Sequence, residues 1–414
     1  MCNIQSTQLE TDDSHRYEHL WESVMHYRGT NDFSPWFLFT ADCHMKRRTW
    51  TNSTLLSGDA TAAFRKMCAN SILRDKNVDT IVIGGDLFDN NRPTSQDLLD
   101  VHQELDSFNR VFYLRGNHDS VYPPYVASFQ STDVRDDGFK YYIMDNTEEP
   151  SMDGMSGNSC IVGIPWVHSD SLLVESLKAS IAHWRQYRTS PDEILYVVLH
   201  CSFKHLLGFD GAYQLDVDMI KELCGEDRIN FLVGHIHTRD TLVYNKAGAY
   251  IHSPGSLYPL TTDKMSTPCF ASLINGDTGE IIAIPVDVRK YVTVELSGVS
   301  GVNIIGHLNA SGYQPPDGYL PTFVRLQIPE DYDQMPILES SDYVFKIDRH
   351  VTRQVTTQHV NASYTINDAV REELQNEANR EMVIDMAEEL LESDDPVQTL
   401  TDWLQFWKVR PAQC

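Results

Sequence analysis

Five times in this chain a short apolar run stops abruptly at a cluster of carboxylate, amide or imidazole side chains. Trp36-Phe37-Leu38-Phe39-Thr40 runs into Ala41-Asp42-Cys43-His44, and Ile81-Val82-Ile83 into Gly84-Gly85-Asp86-Leu87-Phe88-Asp89. Val111-Phe112-Tyr113-Leu114 runs into Arg115-Gly116-Asn117-His118-Asp119, the run over 194–199 into His200-Cys201-Ser202, and Phe231-Leu232-Val233 into Gly234-His235-Ile236-His237. Runs this short and this apolar read as strands buried on both faces. Each cluster then sits at a strand's C-terminal end, where open α/β sheets place their chemistry.

The segments between the runs supply the other half of the alternation. The spacing predicts helices over 62–73, over 95–108 with Leu98, Leu99, Val101, His102 and Leu105 facing inward, and over 169–187. Residues 121–160 are polar and rich in Gly and Asp, a loop with short strands. The stretches 160–164, 250–252, 270–274 and 281–285 read as further strands, the last three finishing the second half of the sheet. Strand alternating with helix predicts an α/β fold with helices on the sheet faces.

Outside this core the pattern changes. Residues 291–296 and 322–328 alternate apolar and polar as half-buried strands do, with a Gly- and Pro-rich segment over 309–319 between them and no ligand cluster. At the N-terminus Tyr17, Leu20, Trp21, Val24 and Met25 fall at helical spacing. In the last fifty or so residues Val370, Leu374, Ala378, Met382, Met386 and Leu390 recur every four positions until Asp395-Pro396 stops the helix. Leu400, Trp403, Leu404 and Trp407 form a second apolar face, either packed on the body or an anchor for another chain. The expected organisation is an N-terminal extension (1–34), a catalytic domain (35–288), an accessory domain (289–362) and a helical tail (363–414).

Composition narrows the setting. The chain has 414 residues, with 33 basic against 59 acidic side chains and a net charge of −26. That balance opposes non-specific adhesion to nucleic acid, so any contact with it needs local basic patches, metal ions or a partner. No run of about 18 apolar residues predicts a membrane span, and the polar, acidic start has no secretory pattern. The eight cysteines are scattered singly without a C-x-x-C pair. They read as free thiols in a reducing compartment, the cytoplasm.

The strand-end residues Asp42, His44, Asp86, Asn117, His118, His200, His235 and His237 offer carboxylate oxygen, amide oxygen and imidazole nitrogen, and no thiolate. Such a set suits Mn, Fe(II) or Zn in a catalytic site rather than structural Zn. It exceeds what one tetrahedral ion takes and fits two ions roughly 3.5–4 Å apart. Taken singly, a D-x-H pair is a chance match, and Gly-Asn-His-Asp is a turn whose Asn117 and Asp119 cap a helix. Five clusters in order, each behind an apolar strand, are not explained that way. Lys46-Arg47-Arg48, Arg92 and Arg115 flank the clusters as cations for an anionic substrate, or as solvated loop charges.

The order D-x-H, G-D-x-x-D, G-N-H-D, His, G-H-x-H resembles that of the calcineurin-like metallophosphoesterases. The resemblance implies a two-sheet α/β sandwich core. With the rest of the chain added, the expectation is that core, a small α+β accessory (capping) domain and a C-terminal helical hairpin. Gly85 to Asp89 followed by Arg92-Pro93-Thr94-Ser95, together with Ser253-Pro254-Gly255-Ser256, looks like the SbcD branch, nuclease subunits of double-strand-break repair in cells and phages. Carried over by motif, Asp42, His44 and His237 hold one ion, Asn117, His200 and His235 the other, and Asp86 bridges both. His118 is then the non-ligand histidine beside the phosphate. Many cellular relatives carry histidine where this chain has Asp89, so what Asp89 does toward the DNA strands is open.

The expectation is a DNA exo/endonuclease using two divalent ions, manganese first among them. Its partner would be an SbcC-like SMC-type ATPase held by the C-terminal helices, in a heterotetramer built on a homodimer, in a bacterial cytoplasm or a phage-infected one. The alternative is a phosphodiesterase or phosphatase on a small nucleotide or phosphoprotein. Protein phosphatases of this fold carry Arg-Gly after the second aspartate of the G-D-x-x-D motif, where this chain has Asn90-Asn91.

Overall fold

The computed structural model describes residues 34–45, 58–90, 93–119, 134–135, 138–139, 141–144, 152–156, 158–167, 169–204, 214–260, 267–295, 304–329 and 340–350. The expected N-terminal helix, the 46–48 basic cluster, Arg92 and the helical tail lie outside these residues. The chain divides into two compact units, 1–350 and 351–414, and the described residues all belong to the first.

In chain order the elements begin with β1 (Trp36–Thr40), α1 (Asp59–Cys68), α2 (Ser71–Asp75), β2 (Thr80–Gly84), α3 (Ser95–Leu105) and β3 (Arg110–Leu114). Short strands follow: β4 (Val134–Arg135), β5 (Gly138–Phe139), β6 (Tyr141–Met144) and β7 (Met152–Ser156). Next come β8 (Ser159–Ile164), α4 (Asp170–Tyr187), β9 (Ile194–His200), β10 (Ser202–Lys204), β11 (Gln214–Asp216) and α5 (Val217–Cys224). The core closes with β12 (Ile229–Gly234), β13 (Asp240–Val243), β14 (Tyr250–Ser253), β15 (Phe270–Asn275) and β16 (Ile281–Pro285). Beyond it lie β17 (Arg289–Glu295), α6 (Ile304–Ala310), β18 (Leu320–Pro329) and β19 (Tyr343–His350).

Two six-stranded sheets form the core, in orders β16-β15-β1-β2-β3-β6 and β13-β14-β12-β9-β8-β7. Strands β1, β2, β3 and β6 run parallel, as do β8, β9, β12 and β14, and antiparallel pairings add β15 and β16 to the first sheet and β13 and β7 to the second. The period-2 alternation of side chains explains the layering. Phe37, Phe39, Val82, Phe112 and Leu114 meet Ile161, Tyr196, Val198 and Leu232 between the sheets. Leu38, Ile81, Ile83 and Val111 face away, onto Ala63 and Phe64 of α1 and Val101 and Leu105 of α3. Val162, Val197, Leu199 and Phe231 do the same toward Leu177, Ile181 and Trp184 of α4 and Ile220 of α5. Helices thus cover both outer faces of a two-sheet sandwich, as expected.

Three details differ from the expectations. The helix expected over 62–73 is two: Asn70 accepts a hydrogen bond from Ile72 N–H and caps α2, which breaks the run after Cys68. Leu99, expected on the inner face of α3, is 49% exposed, while Val101 and Leu105 on the stripe beside it are buried. Strands β15 and β16, expected to finish the second half of the sheet, return to the first, where β15 pairs antiparallel with β1.

Residues 289–350 form a separate small layer. Strands β17, β18 and β19 pair in parallel, with α6 packed through Ile304 and Leu308 onto Val324, Leu326 and Ile328. A buried ion pair ties this layer to the core: Arg289 donates to both oxygens of Asp59 at the start of α1, and Tyr291 Oη adds a 2.9 Å hydrogen bond to the same carboxylate.

Candidate metal centre

The parallel strands of both sheets end on one edge, and the polar clusters follow there. Register carries the alignment: Thr40 pairs with Ile83, Gly84 with Leu114, and Gly234 with His200. His200 Nδ1–H crosses between the sheets to the Gly84 carbonyl at 2.8 Å, which leaves Nε2 as the free lone pair.

Glycine makes this approach possible. Gly85 has a φ of 96°, and a Cβ there would run into the His200 ring. A Cβ on Gly116 would collide with the Asp86 carboxylate. Among described non-glycine residues, Asp42, His44, Asn77, Asp86 and His235 have left-handed backbone, with φ between 41° and 78°. All but Asn77 belong to the donor set. Such conformations cost on the order of 1–3 kcal/mol each and persist where the surrounding structure imposes them.

The donor atoms converge. Asp42 Oδ1 lies 3.4 Å from His237 Nε2, which lies 3.4 Å from His44 Nε2. Asn117 Oδ1 lies 3.0 Å from His200 Nε2 and 3.1 Å from His235 Nδ1. Between these groups Asp86 Oδ2 stands 3.7 Å from His44 Nε2 and 3.4 Å from His200 Nε2. Atoms held about 2.0–2.2 Å from one ion stand roughly 3–3.5 Å from each other, which is close to these spacings. Asp42-His44-His237 and Asp42-Asp86-His200 each gather ligand atoms within 4.8 Å, as does His44-Asp86-His118. The residues present fit two divalent ions.

The electrostatics of the site ask for positive charge. Burial alone would push the Asp86 carboxyl up, but the imidazoles of His200, His44 and His118 hold it well below the usual carboxylate range. Burial likewise favours a neutral His200 ring, yet Asp86 and Asp42 carry its pKa up to about 9. Burial and the charge of His200 push His235 down to about 4. Burial would raise the Asp42 carboxyl, but His237 and His200 together bring it below its ordinary value, and it also accepts the His235 N–H at 3.0 Å.

His118 sits at the exposed rim of the donor set. Its backbone N–H donates to Asp86 Oδ1 at 2.9 Å and its ring Nδ1–H to the Asp89 carbonyl at 3.0 Å. The ring's Nε2 is 4.0 Å from Asp86 Oδ2, and the side chain is 40% exposed. The Asp89 side chain places Oδ1 3.2 Å from His44 Nδ1, within ion-pair reach but not aligned as a hydrogen bond. Arg115 is half-buried at the end of β3, its carbonyl accepting the Trp166 N–H at 3.1 Å.

Sequence reasoning placed Asp119 only as a helix cap. In the structure it is buried and accepts Gly116 N–H at 3.0 Å and Phe88 N–H at 3.3 Å, fastening the Asn117 loop to the Asp86 loop. Burial, reinforced by the charge of Asp86, raises its pKa. Tyr258 was also missed; its hydroxyl donates to the His44 carbonyl at 3.1 Å. Asp119 was visible as the last letter of its motif, whereas Tyr258 carries no local signal.

A two-layer sandwich of sheets with paired ions expected at its strand-end edge is the architecture of a metal-dependent phosphoesterase. Residues 35–239 match the family model described as Calcineurin-like phosphoesterase, and this part of the chain is a member of the calcineurin-like metallophosphoesterase superfamily. Among solved structures the chain is similar to TT1561 of Thermus thermophilus, at 15% identity and a TM-score of 0.41, covering 61% of this chain and 99% of that one. It is also similar to a dimetal phosphatase from Danio rerio, at 14% identity and a TM-score of 0.36, covering 62% and 100%. No curated protein matches the sequence.

Proposed function

We propose that this chain is a two-metal phosphodiesterase that cleaves DNA, with manganese as its working ion, beside an SbcC-like ATPase in double-strand-break processing. The observation that carries this reading is the rim of the centre, which is open among the described residues. The His118 and His237 side chains are 40% and 31% exposed at the outer edge of both sheets. Small ligands are ordinarily enclosed over most of their surface. An open edge instead accepts a polymer that continues on both sides of the bond being cut.

Divalent ions bound here supply positive charge that offsets the phosphodiester anion and acidifies water at neutral pH. Asp86 and its neighbours hold the two donor groups at a fixed separation. His118, oriented by the Asp89 carbonyl, presents Nε2 to the rim, where in its protonated form it gives a proton to the leaving oxygen. A chain of charge −26 has little affinity of its own for duplex DNA, and the ATPase, docked on the helices of 363–414, supplies it. A homodimer in a bacterial cytoplasm completes the reading.

With Mn the purified protein should degrade linear duplex DNA, and His118→Ala should slow this about 10²–10⁴-fold with both ions still bound. The hydrogen bond from His118 to Asp86 is through backbone N–H, so the substitution removes the imidazole and leaves that bond in place. DNA left intact in the presence of the ATPase, while a chromogenic phosphodiester is hydrolysed, would overturn the reading. A phosphodiesterase or phosphatase on small substrates would then replace it.

A further inference from the structure

Beside His237 lies a narrow crevice whose other residues take no part in holding metal. His237 and Arg239 form one wall, Pro254 and Gly255 another, and Pro268 and Phe270 a third. Its free volume is about 20 Å³, room for about one water molecule and not for a nucleobase. The Arg239 guanidinium lies 5.3 Å from the centroid of the Phe270 ring. That stacking holds an exposed cation at one place on the rim.

The turn Ser253-Pro254-Gly255-Ser256 builds this arrangement. Ser253 Oγ–H donates to the Ile236 carbonyl at 2.8 Å, and Ser256 N–H to the His237 carbonyl at 3.3 Å. Gly255, with φ at 74°, packs so tightly that a Cβ would meet the backbone nitrogen of Arg239. The same turn therefore fixes a metal-binding histidine and the arginine two residues beyond it.

Charge gives the arginine its meaning. Several arginines pair with carboxylates, Arg65 with Glu104, Arg185 and Arg188 with Asp227, and Arg289 with Asp59, while Arg228 donates to backbone carbonyls. Among the described residues no carboxylate pairs with Arg239. A guanidinium held in place, with no counter-charge among the described residues, beside a phosphoester-cleaving centre in an acidic protein, is matched to a substrate phosphate.

We infer that Arg239, braced on Phe270, is a substrate-binding residue that holds a phosphate neighbouring the one being cleaved. This rests on the polynucleotide reading above, since only a substrate with more than one phosphate reaches both. The crevice excludes a base, so the contact reads backbone charge and not sequence.

The test compares Arg239→Ala and Arg239→Lys with the wild type, using Mn, a DNA oligonucleotide and a small chromogenic phosphodiester. Arg239→Ala should lower the ratio of kcat/KM on the oligonucleotide to kcat/KM on the diester about five- to tenfold, mostly through KM, as for one charged hydrogen bond lost. The slope of log KM against log salt should fall by about one, and Arg239→Lys should restore most of both effects. A wild type that cleaves DNA, with ratio and slope unchanged in Arg239→Ala, overturns the role of Arg239 alone. A wild type active on the diester but inert on DNA overturns both readings.

Discussion

His200 Nε2 stands 3.4 Å from Asp86 Oδ2. The two side chains come from different sheets and from distant parts of the chain. Their contact joins the halves of the sandwich at the middle of the donor set.

Asp86 lies between the two donor groups, so Asp86→Asn should weaken the binding of both ions. Asp42→Ala or His200→Ala should chiefly remove one. Metal content per chain after dialysis, measured by mass spectrometry, separates these outcomes. An Asp86→Asn protein that retains two ions would show that no carboxylate bridges them.

In the metal-free protein the His200 pKa is raised from 6.5 to about 9. This pair therefore stabilises the fold fully below about pH 6.5, and the contribution fades as pH rises through about 9. Divalent ions compete with that proton, so metal affinity should rise over the same window. Melting temperatures in chelator across the window, for wild type and His200→Gln, give the check. Identical slopes in both proteins would place the titrating group elsewhere.

Gly85→Ala should cost stability through both its left-handed φ and the collision with the His200 ring, by about 2–4 kcal/mol. Gly248 also has a positive φ, of 78°, but open space where its Cβ would go. Gly248→Ala should cost only the backbone part, about 1 kcal/mol. Denaturant unfolding of the two variants measures the difference. Equal losses would mean that the close approach of Gly85 to His200 carries no energy.

Asp59→Ala would leave the Arg289 guanidinium buried without its counter-charge, with only the Pro321 carbonyl still accepting from it among the described residues, and should cost about 3–5 kcal/mol. The double variant Asp59→Leu with Arg289→Met should recover much of it, because two apolar side chains need no pairing. A double-mutant cycle by chemical denaturation tests this strut between the core and the β17–β19 layer. A loss below about 1 kcal/mol for Asp59→Ala would show that the layer is held by other contacts.

Much of the core was legible in the sequence because its signals are local. Strands such as β2 and β9 are buried on both faces, so their runs are apolar without alternation and end where the chain emerges. The helix splitting at Asn70 and the exposure of Leu99 were harder to read. The first depends on one side chain capping a new helix, the second on which neighbouring stripe of α3 meets the sheet. Strand β19 and helix α6 went unread, because each packs on the small layer around Val324 and Leu326 and not on the main core pattern that the sequence displays.

The sequence by itself determined the donor set, since carboxylate, amide and imidazole at strand ends are chemistry carried by residue type. It determined the alternation of strand and helix as well, because burial on both faces leaves its mark on every residue of a run. Only the tertiary structure decided which donors meet: Asn117 with His200 and His235, Asp42 with His237, and Asp86 between them. It also returned β15 to the side of β1 and set Arg239 against Phe270. These relations join residues far apart in the chain. They follow from how two sheets pack face to face, a property of the whole core that no local stretch encodes.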